Sequence, residues 1–115
     1  MAATNSLLEV TRDRDGFHLS GEIDLSNVDQ LAAALVGEVR QGNHLILDCS
    51  NLRFIDSTGM AALINISKGL GAKGRLTLRT VPPQVAKAVR VLGLDRMPNL
   101  EIADPATSPG AAATA

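Results

Sequence analysis

The sequence predicts a single α/β domain built on a mixed, mostly parallel β-sheet of four or five strands, with the helices packed mainly on one face. The first observation is the order of periodic segments, β-β-α-β-α-β-α-β, because strands that alternate with helices form parallel sheets through right-handed crossovers. The second is the segment 44–49, which is apolar on both faces at its centre, as in a strand buried on both sides. If each crossover adds one strand in the same direction, all helices lie on one face. We prefer this arrangement to a doubly wound sheet.

The composition is that of one soluble globular domain, and it excludes several classes of partner. The chain has 115 residues, of which 45% are apolar and 20% are charged, enough to bury a sizeable core. A net charge of −1, with no long run of one sign and no Trp or Tyr, argues against nucleic acid or an anionic membrane as the main partner. The N-terminus lacks the basic and apolar regions of a signal peptide, and no apolar stretch approaches the length of about 18 residues that spans a membrane. We therefore expect a cytoplasmic protein.

The single cysteine, Cys49, rules out an internal disulfide and a Cys-based zinc site. Because it ends an apolar segment, we interpret it as a small buried residue of the core. A redox role is the alternative, although the sequence shows no charge that would support the reactivity of the thiol. The sequence therefore predicts no metal site and no cofactor.

Two strands joined by a tight turn are predicted at the start of the domain. Apolar and polar residues alternate roughly over 7–13 and again over 16–22. The Asp15-Gly16 pair between these segments is a hairpin signal. We therefore expect two antiparallel strands, the first of them at an edge of the sheet.

The first helix is predicted over residues 26–41. Ser26 lies three residues before Asp29, which resembles a capping box with Asp in place of Glu. Gly42-Asn43 supplies the stop. Four apolar residues at helical spacing form one stripe: Val28, Leu31, Leu35 and Val39.

Strands and helices continue to alternate along the rest of the chain. The predicted segments are strand 44–49, a helix from about 60 to 70, strand 75–81, a helix from 82 to 92 and strand 100–103. From Asp104 onward the composition is Pro, Ala, Gly, Ser and Thr without periodicity. We therefore expect a domain over 1–103 and a disordered tail over 104–115.

The most chemically suggestive segment is Asp56-Ser57-Thr58-Gly59, which lies between a predicted strand and the start of the second helix. One interpretation is structural: Ser57 or Asp56 caps the helix by accepting a hydrogen bond from an early backbone amide. Another is phosphorylation, because a phosphate at a helix N-terminus meets unpaired N–H groups and the positive end of the helix dipole. Adjacent Asp56 opposes the added charge. On these residues alone, both interpretations remain open.

Catalytic and cofactor-binding interpretations are disfavoured. A nucleophilic Ser57 needs a base, and only His18 and His44 are present, neither in a suggestive setting. The aspartic-protease triplet, Asp-Thr-Gly or Asp-Ser-Gly, has no inserted residue, so the spacing here is wrong. The segment 69–74 matches Gly-x-Gly-x-x-Gly, but it closes a helix and precedes a strand, which is the reverse of a dinucleotide-binding motif.

Asp24 follows a predicted strand end, where parallel folds place functional loops. The ordinary interpretation is a turn or capping residue. The alternative is that Asp24 lies beside the start of the second helix, which requires the two preceding strands to be neighbours.

Taken together, these segments resemble the STAS domain, and specifically the stand-alone anti-sigma factor antagonists. The glycine turn, the strand 76–78 and the Pro-opened helix 83–92 also fit, so the resemblance covers residues 7–103. The segments that carry it are Gly21-Glu22-Ile23-Asp24, Leu45-Ile46-Leu47-Asp48 and Phe54-Ile55-Asp56-Ser57-Thr58-Gly59.

The resemblance implies a protein that switches partners. The unphosphorylated form binds an anti-sigma factor that is also a serine kinase, and this frees the sigma factor. The kinase uses ATP and Mg²⁺ to phosphorylate Ser57, and the modified protein then dissociates from it. A serine phosphatase removes the phosphate. Thr58 occupies a position that is Ser or Thr in the family, which makes it a candidate secondary acceptor, although Ser57 is the acceptor that we expect to be used.

The same resemblance implies a substrate and ligand, not an enzyme. Asp24 corresponds to an acid implicated in partner or kinase interaction, and Met60 stands where Leu is common. The implied partner-binding residues are Asp24, Asp56, Ser57, Thr58, Gly59 and Met60. The alternative is a STAS scaffold whose acceptor is not used and which acts as a protein-interaction or small-ligand-binding module.

Overall fold

Five strands form one sheet in the computed structural model, which describes residues 7–14, 16–42 and 44–103. The strands lie in chain order across the sheet. β1 is antiparallel to β2, and each later pair of neighbours is parallel. The strands are β1 (Leu8–Arg12), β2 (Phe17–Ile23), β3 (Leu45–Ile55), β4 (Leu76–Arg79) and β5 (Leu100–Ala103). The predicted mixed, mostly parallel sheet is confirmed.

The three crossovers each contain a helix, and α1 packs beside α2. The helices are α1 (Val28–Gln41), α2 (Ser57–Gly69) and α3 (Pro83–Val91), and a short 3-10 turn follows at Leu94–Arg96. Every crossover moves one strand in the same direction, so right-handed connections place the helices on one face of the sheet. Alternate residues of β2 are buried, and those between them are only half-buried, as expected for a sheet covered on one side.

The core lies between the helices and the covered face of the sheet. Leu31 and Leu35, the centre of the predicted stripe of α1, are completely buried, and each contributes about 1.5–3 kcal/mol by leaving water. Cys49 is also in the core. Burial, together with the neighbouring Asp48 charge, raises the pKa of its thiol to about 12, so the thiol stays protonated at neutral pH, which argues against redox chemistry.

The opposite face of the sheet is polar. His18 Nε2 lies 2.8 Å from Asn51 Oδ1, and the carboxylate of Asp48 lies 3.7 Å from the Arg79 guanidinium. Burial opposes ionisation of Asp48, but hydrogen bonds from Ser50 and the charges of Arg79 and His18 outweigh it and lower the pKa of this carboxyl. His18 therefore interacts with residues of this face and not with the segment that contains Ser57.

The third strand is longer than the sequence predicted, because it runs from Leu45 to Ile55 rather than ending at 49. Its second half pairs with β2 through two register shifts. These irregularities bury Leu52 and Ile55, which are three residues apart, and so break the alternation by which a strand is identified. The longer strand carries the chain directly to Asp56.

The predicted capping box at Ser26 is wrong. The N-cap of α1 is Asn27, and it makes no side-chain capping bond. The Asp24 carbonyl accepts the backbone amides of Asn27 and Val28, while the Ser26 hydroxyl donates to the Asp24 carboxylate at 2.6 Å. Ser26 therefore belongs to a turn before the helix, and its hydroxyl is used inside that turn.

Some predictions fall on residues outside the described ranges: Asp15 of the hairpin signal, Asn43 of the helix stop, and the tail 104–115. The hairpin itself is present, because β1 and β2 pair antiparallel and the Gly16 amide donates to the Asp13 carboxylate at 2.9 Å. Gly42 ends α1 in the left-handed conformation, with φ of 67°, as expected for a glycine stop.

Candidate functional site

Two loops meet at the carboxyl edge of the sheet. The last residues of β2 and β3, Ile23 and Ile55, are register partners, and the backbone amide of Asp56 donates to the Ile23 carbonyl at 3.1 Å. The loop that starts at Asp24 therefore lies against the start of α2. This is the arrangement that the sequence left as the alternative for Asp24, and it is at the edge where parallel sheets place their functional loops.

Asp56 caps α2. One of its carboxylate oxygens, Oδ1, accepts the Gly59 backbone amide at 3.0 Å and the Thr58 hydroxyl at 2.5 Å. Of the two capping residues considered from the sequence, Asp56 fills the role and Ser57 does not. The negative carboxylate also faces the positive end of the helix dipole.

The same contacts hold the pKa of Asp56 below its ordinary value. The bond from the Thr58 hydroxyl is the largest cause; partial burial opposes it, and the backbone amides of Gly59, Thr58 and Leu25 add to it. Asp56 is therefore ionised at neutral pH.

Ser57 is the first residue of α2, and its side chain is exposed. Within the described ranges, its hydroxyl makes no hydrogen bond. Thr58, by contrast, is half-buried, and its proton is directed at Asp56. The two adjacent hydroxyls thus differ in access and in bonding, which the sequence alone did not indicate.

Asn27 is a site residue that sequence reasoning missed. Although it is polar, it is buried. Its side-chain amide donates to the Glu22 carbonyl at 2.9 Å, and its side-chain oxygen accepts the Asp24 backbone amide at 3.0 Å. It therefore holds Asp24 at the end of β2. An asparagine in a polar turn is common, so its burial carried no signal in the sequence.

Gly59 and Met60, two of the implied partner-binding residues, lie beneath the surface. Met60 is 2% exposed. A Cβ atom on Gly59 would lie 2.6 Å from Ile55 Cγ1 and 2.8 Å from Ile23 Cγ2. These two residues seat the first turn of α2 on the strand ends, whereas Asp24, Asp56, Ser57 and Thr58 remain at least partly accessible.

Neither histidine is placed to activate Ser57. His18 lies five residues before the end of β2, about 16 Å along the strand at 3.3 Å per residue. His44 precedes Leu45 at the opposite end of β3. A nucleophilic Ser57 therefore lacks the base that such a mechanism requires.

A shallow apolar groove runs between α1 and α2 beside this segment, with a volume of about 520 Å³. Leu25 and Val36 on its border are 74% and 47% exposed. The groove is lined by Leu25, Val28, Asp29, Ala32, Val36, Val39, Thr58, Ala61, Ala62, Asn65 and Ile66. The groove therefore leaves apolar side chains exposed beside the start of α2, where Ser57 lies.

Over residues 7–14, 16–42 and 44–103, no three His, Cys, Asp or Glu side chains are grouped so that they could hold a metal ion. None of the helices in these ranges has the length and apolar character needed to cross a membrane.

Replacing Asp56 with alanine is expected to destabilise the domain by about 0.5–2 kcal/mol, because the α2 cap is lost.

Asparagine keeps a capping oxygen but not the charge, so Asp56→Asn isolates the electrostatic part of the stability that Asp56 contributes. Since folding lowers the pKa of Asp56, this part is fully present above the unfolded value and is lost as pH falls through the lower folded value. Urea unfolding between pH 7 and pH 2.5 should therefore show a wild-type advantage over Asp56→Asn that shrinks only below about pH 4. A constant difference across that range would contradict this electrostatic role.

Comparison with known proteins identifies the family. A family model described as "Mlab, STAS domain" matches residues 7–101. BtrV of Bordetella bronchiseptica, named as a proposed anti-sigma factor antagonist, is 31% identical over 77 residues, which are 65% of this chain and 66% of the relative. That match spans just under two thirds of the relative's length.

Solved structures agree with this assignment. An anti-sigma factor antagonist from Mycobacterium paratuberculosis is 27% identical, with a TM-score of 0.67 over 88% of this chain and 90% of that one. The Bacillus cell fate determinant SpoIIAA in its phosphorylated form is 25% identical, with a TM-score of 0.59 over 85% of this chain and 92% of that one. Because the family model covers residues 7–101, the chain belongs to the STAS domain family.

Proposed function

We propose that this STAS domain is an anti-sigma factor antagonist. In the unphosphorylated form it binds an anti-sigma factor that is also a serine kinase, and so frees a sigma factor. Phosphorylation of Ser57 ends the binding, and a serine phosphatase restores the unmodified form. The observation that carries the proposal is the exposed, unbonded Ser57 hydroxyl on the first residue of α2, next to Thr58 on the wall of the apolar groove.

The named relatives support the proposal. BtrV and the mycobacterial protein are both described as anti-sigma factor antagonists, and SpoIIAA is known in a phosphorylated form. The same function for this chain is therefore the simplest inference from its family.

The position of Ser57 suits both requirements of such a switch. A kinase substrate needs an accessible hydroxyl, and a strand-to-helix junction at the sheet edge provides one. A phosphate there carries a charge of about −2 and lies beside the ionised Asp56 cap. In the free protein water solvates these charges. In a closed interface they are desolvated close together, which favours dissociation of the phosphorylated form.

We infer that the chain acts as a substrate and a ligand, and that catalysis belongs to the kinase. Asp24 and Asn27 shape the loop that follows β2 and lies against the start of α2, since Asn27 holds the Asp24 backbone and Ser26 holds its carboxylate. ATP and Mg²⁺ are required by the kinase.

The exposed Leu25 lines the groove between α1 and α2, so it offers a test of that groove as the surface on which the partner docks. Replacing Leu25 with serine is expected to weaken partner binding by about tenfold, because truncating a central interface contact costs about 1 kcal/mol or more. The matched control is Val91→Ser at the end of α3, because Val91 is also 74% exposed. Titration calorimetry with the purified partner should separate them. Equal losses of affinity in both variants would contradict a docking role for Leu25.

The main experiment identifies the partner and the modified residue together. Immobilised wild-type protein should retain an anti-sigma factor with serine kinase activity from the soluble extract of its source organism. Incubation with that kinase, ATP and Mg²⁺ should then place phosphate on Ser57, as mapped by mass spectrometry of the tryptic peptide. A retained kinase that leaves Ser57 unmodified would refute the proposal.

The groove supports a second candidate function, a STAS scaffold that binds a small apolar ligand. Its volume of about 520 Å³ falls within the range of small-molecule sites. This candidate predicts that partner binding is the same for wild type, Ser57→Ala and Ser57→Glu. The primary proposal predicts that only Ser57→Glu loses affinity.

A further inference from the structure

We propose that Thr58 is a positioning residue that directs phosphoryl transfer to Ser57, because its own hydroxyl is held in a hydrogen bond that it donates to the Asp56 carboxylate. This inference rests on the proposed function. It adds a role for Thr58, which the family resemblance describes only as a position occupied by Ser or Thr. It explains how two neighbouring hydroxyls are distinguished by one kinase.

The geometry separates the two hydroxyls. Thr58 Oγ1 donates its only proton to Asp56 Oδ1 at 2.5 Å, and the Gly59 amide donates to the same oxygen at 3.0 Å. Thr58 is also half-buried and lines the groove. Because threonine is β-branched, few χ1 rotamers are open to it in a helix, so moving Oγ1 away from Asp56 requires a change of χ1 rotamer in the first turn of α2.

The chemistry of the transfer favours the unbonded hydroxyl. In the reaction, a hydroxyl oxygen forms a bond to the γ-phosphorus of ATP while the bond from that phosphorus to the β–γ bridging oxygen breaks. ADP leaves, and the hydroxyl proton passes to a base of the kinase. Ser57 is free to enter this geometry, whereas Thr58 must first give up a charge-assisted bond. Asp56 is a poor base for Thr58, because its pKa is lowered and an efficient base has a pKa near the working pH.

The bond also restrains Asp56. With Oδ1 occupied by Thr58 and Gly59, the carboxylate is held toward the helix and is not the hydrogen-bond partner of Ser57. Without the Thr58 hydroxyl, that oxygen has one donor fewer. We therefore expect loss of the Thr58 hydroxyl to raise the pKa of Asp56, since that hydrogen bond is the largest cause of its lowering.

The first test maps phosphate in wild type and in Ser57→Ala after incubation with the retained kinase, ATP and Mg²⁺. We expect phosphate on Ser57 in the wild type and none on Thr58 in either protein. Phosphate on Thr58 of Ser57→Ala, formed within about tenfold of the wild-type Ser57 rate, would overturn the inference while leaving the switch itself intact. Wild type that gains no phosphate at either residue would instead refute the proposed function.

The second test needs no kinase. Carbon-detected NMR titration of the Asp56 carboxyl should show a higher pKa in Thr58→Val than in wild type, and Thr58→Ser should restore the wild-type value. Thr77→Val is the control, since Thr77 is also half-buried but lies on β4. An Asp56 titration that is unchanged in Thr58→Val would overturn the inference whatever the kinase does.

Discussion

Replacing Ser57 with glutamate is expected to weaken binding of the anti-sigma factor by roughly 30-fold or more, corresponding to about 2 kcal/mol. Ser57 begins α2 and is exposed, so a negative side chain fits the free protein and faces the positive end of the helix dipole. The cost arises on binding, when this charge is desolvated beside the Asp56 cap. The melting temperature should therefore stay within about 3 °C of wild type.

Two variants separate this effect from any general loss of affinity. Ser57→Ala removes the acceptor without adding charge, so it should bind like the unmodified wild type even after incubation with kinase and ATP. Thr11→Glu places the same charge on another exposed residue, opposite His18 and far from the end of β2, and should leave affinity within about twofold. Titration calorimetry measures all three, and equal affinity of Ser57→Glu and Ser57→Ala would contradict the switch.

Replacing Gly59 with alanine is expected to destabilise the domain by about 1–3 kcal/mol, as for other overpacked sites. The new Cβ would lie 2.6 Å from Ile55 Cγ1 and 2.8 Å from Ile23 Cγ2. These atoms belong to branched side chains that are themselves buried, so the first turn of α2 has to lift away from the strand ends. The melting temperature should fall by roughly 4–8 °C per kcal/mol, and partner affinity should fall as well because Ser57 moves.

Gly37 provides the matched control within α1. It lies in the helix interior, is exposed, and a Cβ atom there would meet nothing within 4 Å. Gly37→Ala should therefore stabilise the domain by about 0.5–1 kcal/mol, through helix propensity and a less flexible unfolded chain. If both alanine variants raise the melting temperature, the close seating of Gly59 on β2 and β3 is incorrect.

The fold was predictable because its signals are local and repeated. Alternating strand and helix periodicities defined the crossovers, and the stripe containing Leu31 and Leu35 placed one face of α1 in the core. The second half of β3 was not predictable, because its register shifts against β2 place Leu52 and Ile55 inward at a spacing that resembles neither regular period. A bulged strand depends on its neighbour's geometry as well as on its own sequence.

The candidate site was likewise predictable only in part. The segment around Ser57 was visible as a cap or acceptor motif, but the choice between Asp56 and Ser57 as cap depends on which side chain reaches the Gly59 amide. The proximity of Asp24 depended on β2 and β3 being neighbours. The burial of Asn27 and the groove between α1 and α2 arise only from tertiary packing, so no local sequence pattern predicts them.

The most direct measurement compares the affinity of one purified anti-sigma factor for this domain before and after stoichiometric phosphorylation of Ser57, in the same buffer and by titration calorimetry. The account predicts tight binding of the unmodified protein and a loss of roughly 30-fold or more once the phosphate is present, reversed by phosphatase treatment. Affinity that does not change with phosphorylation would contradict it.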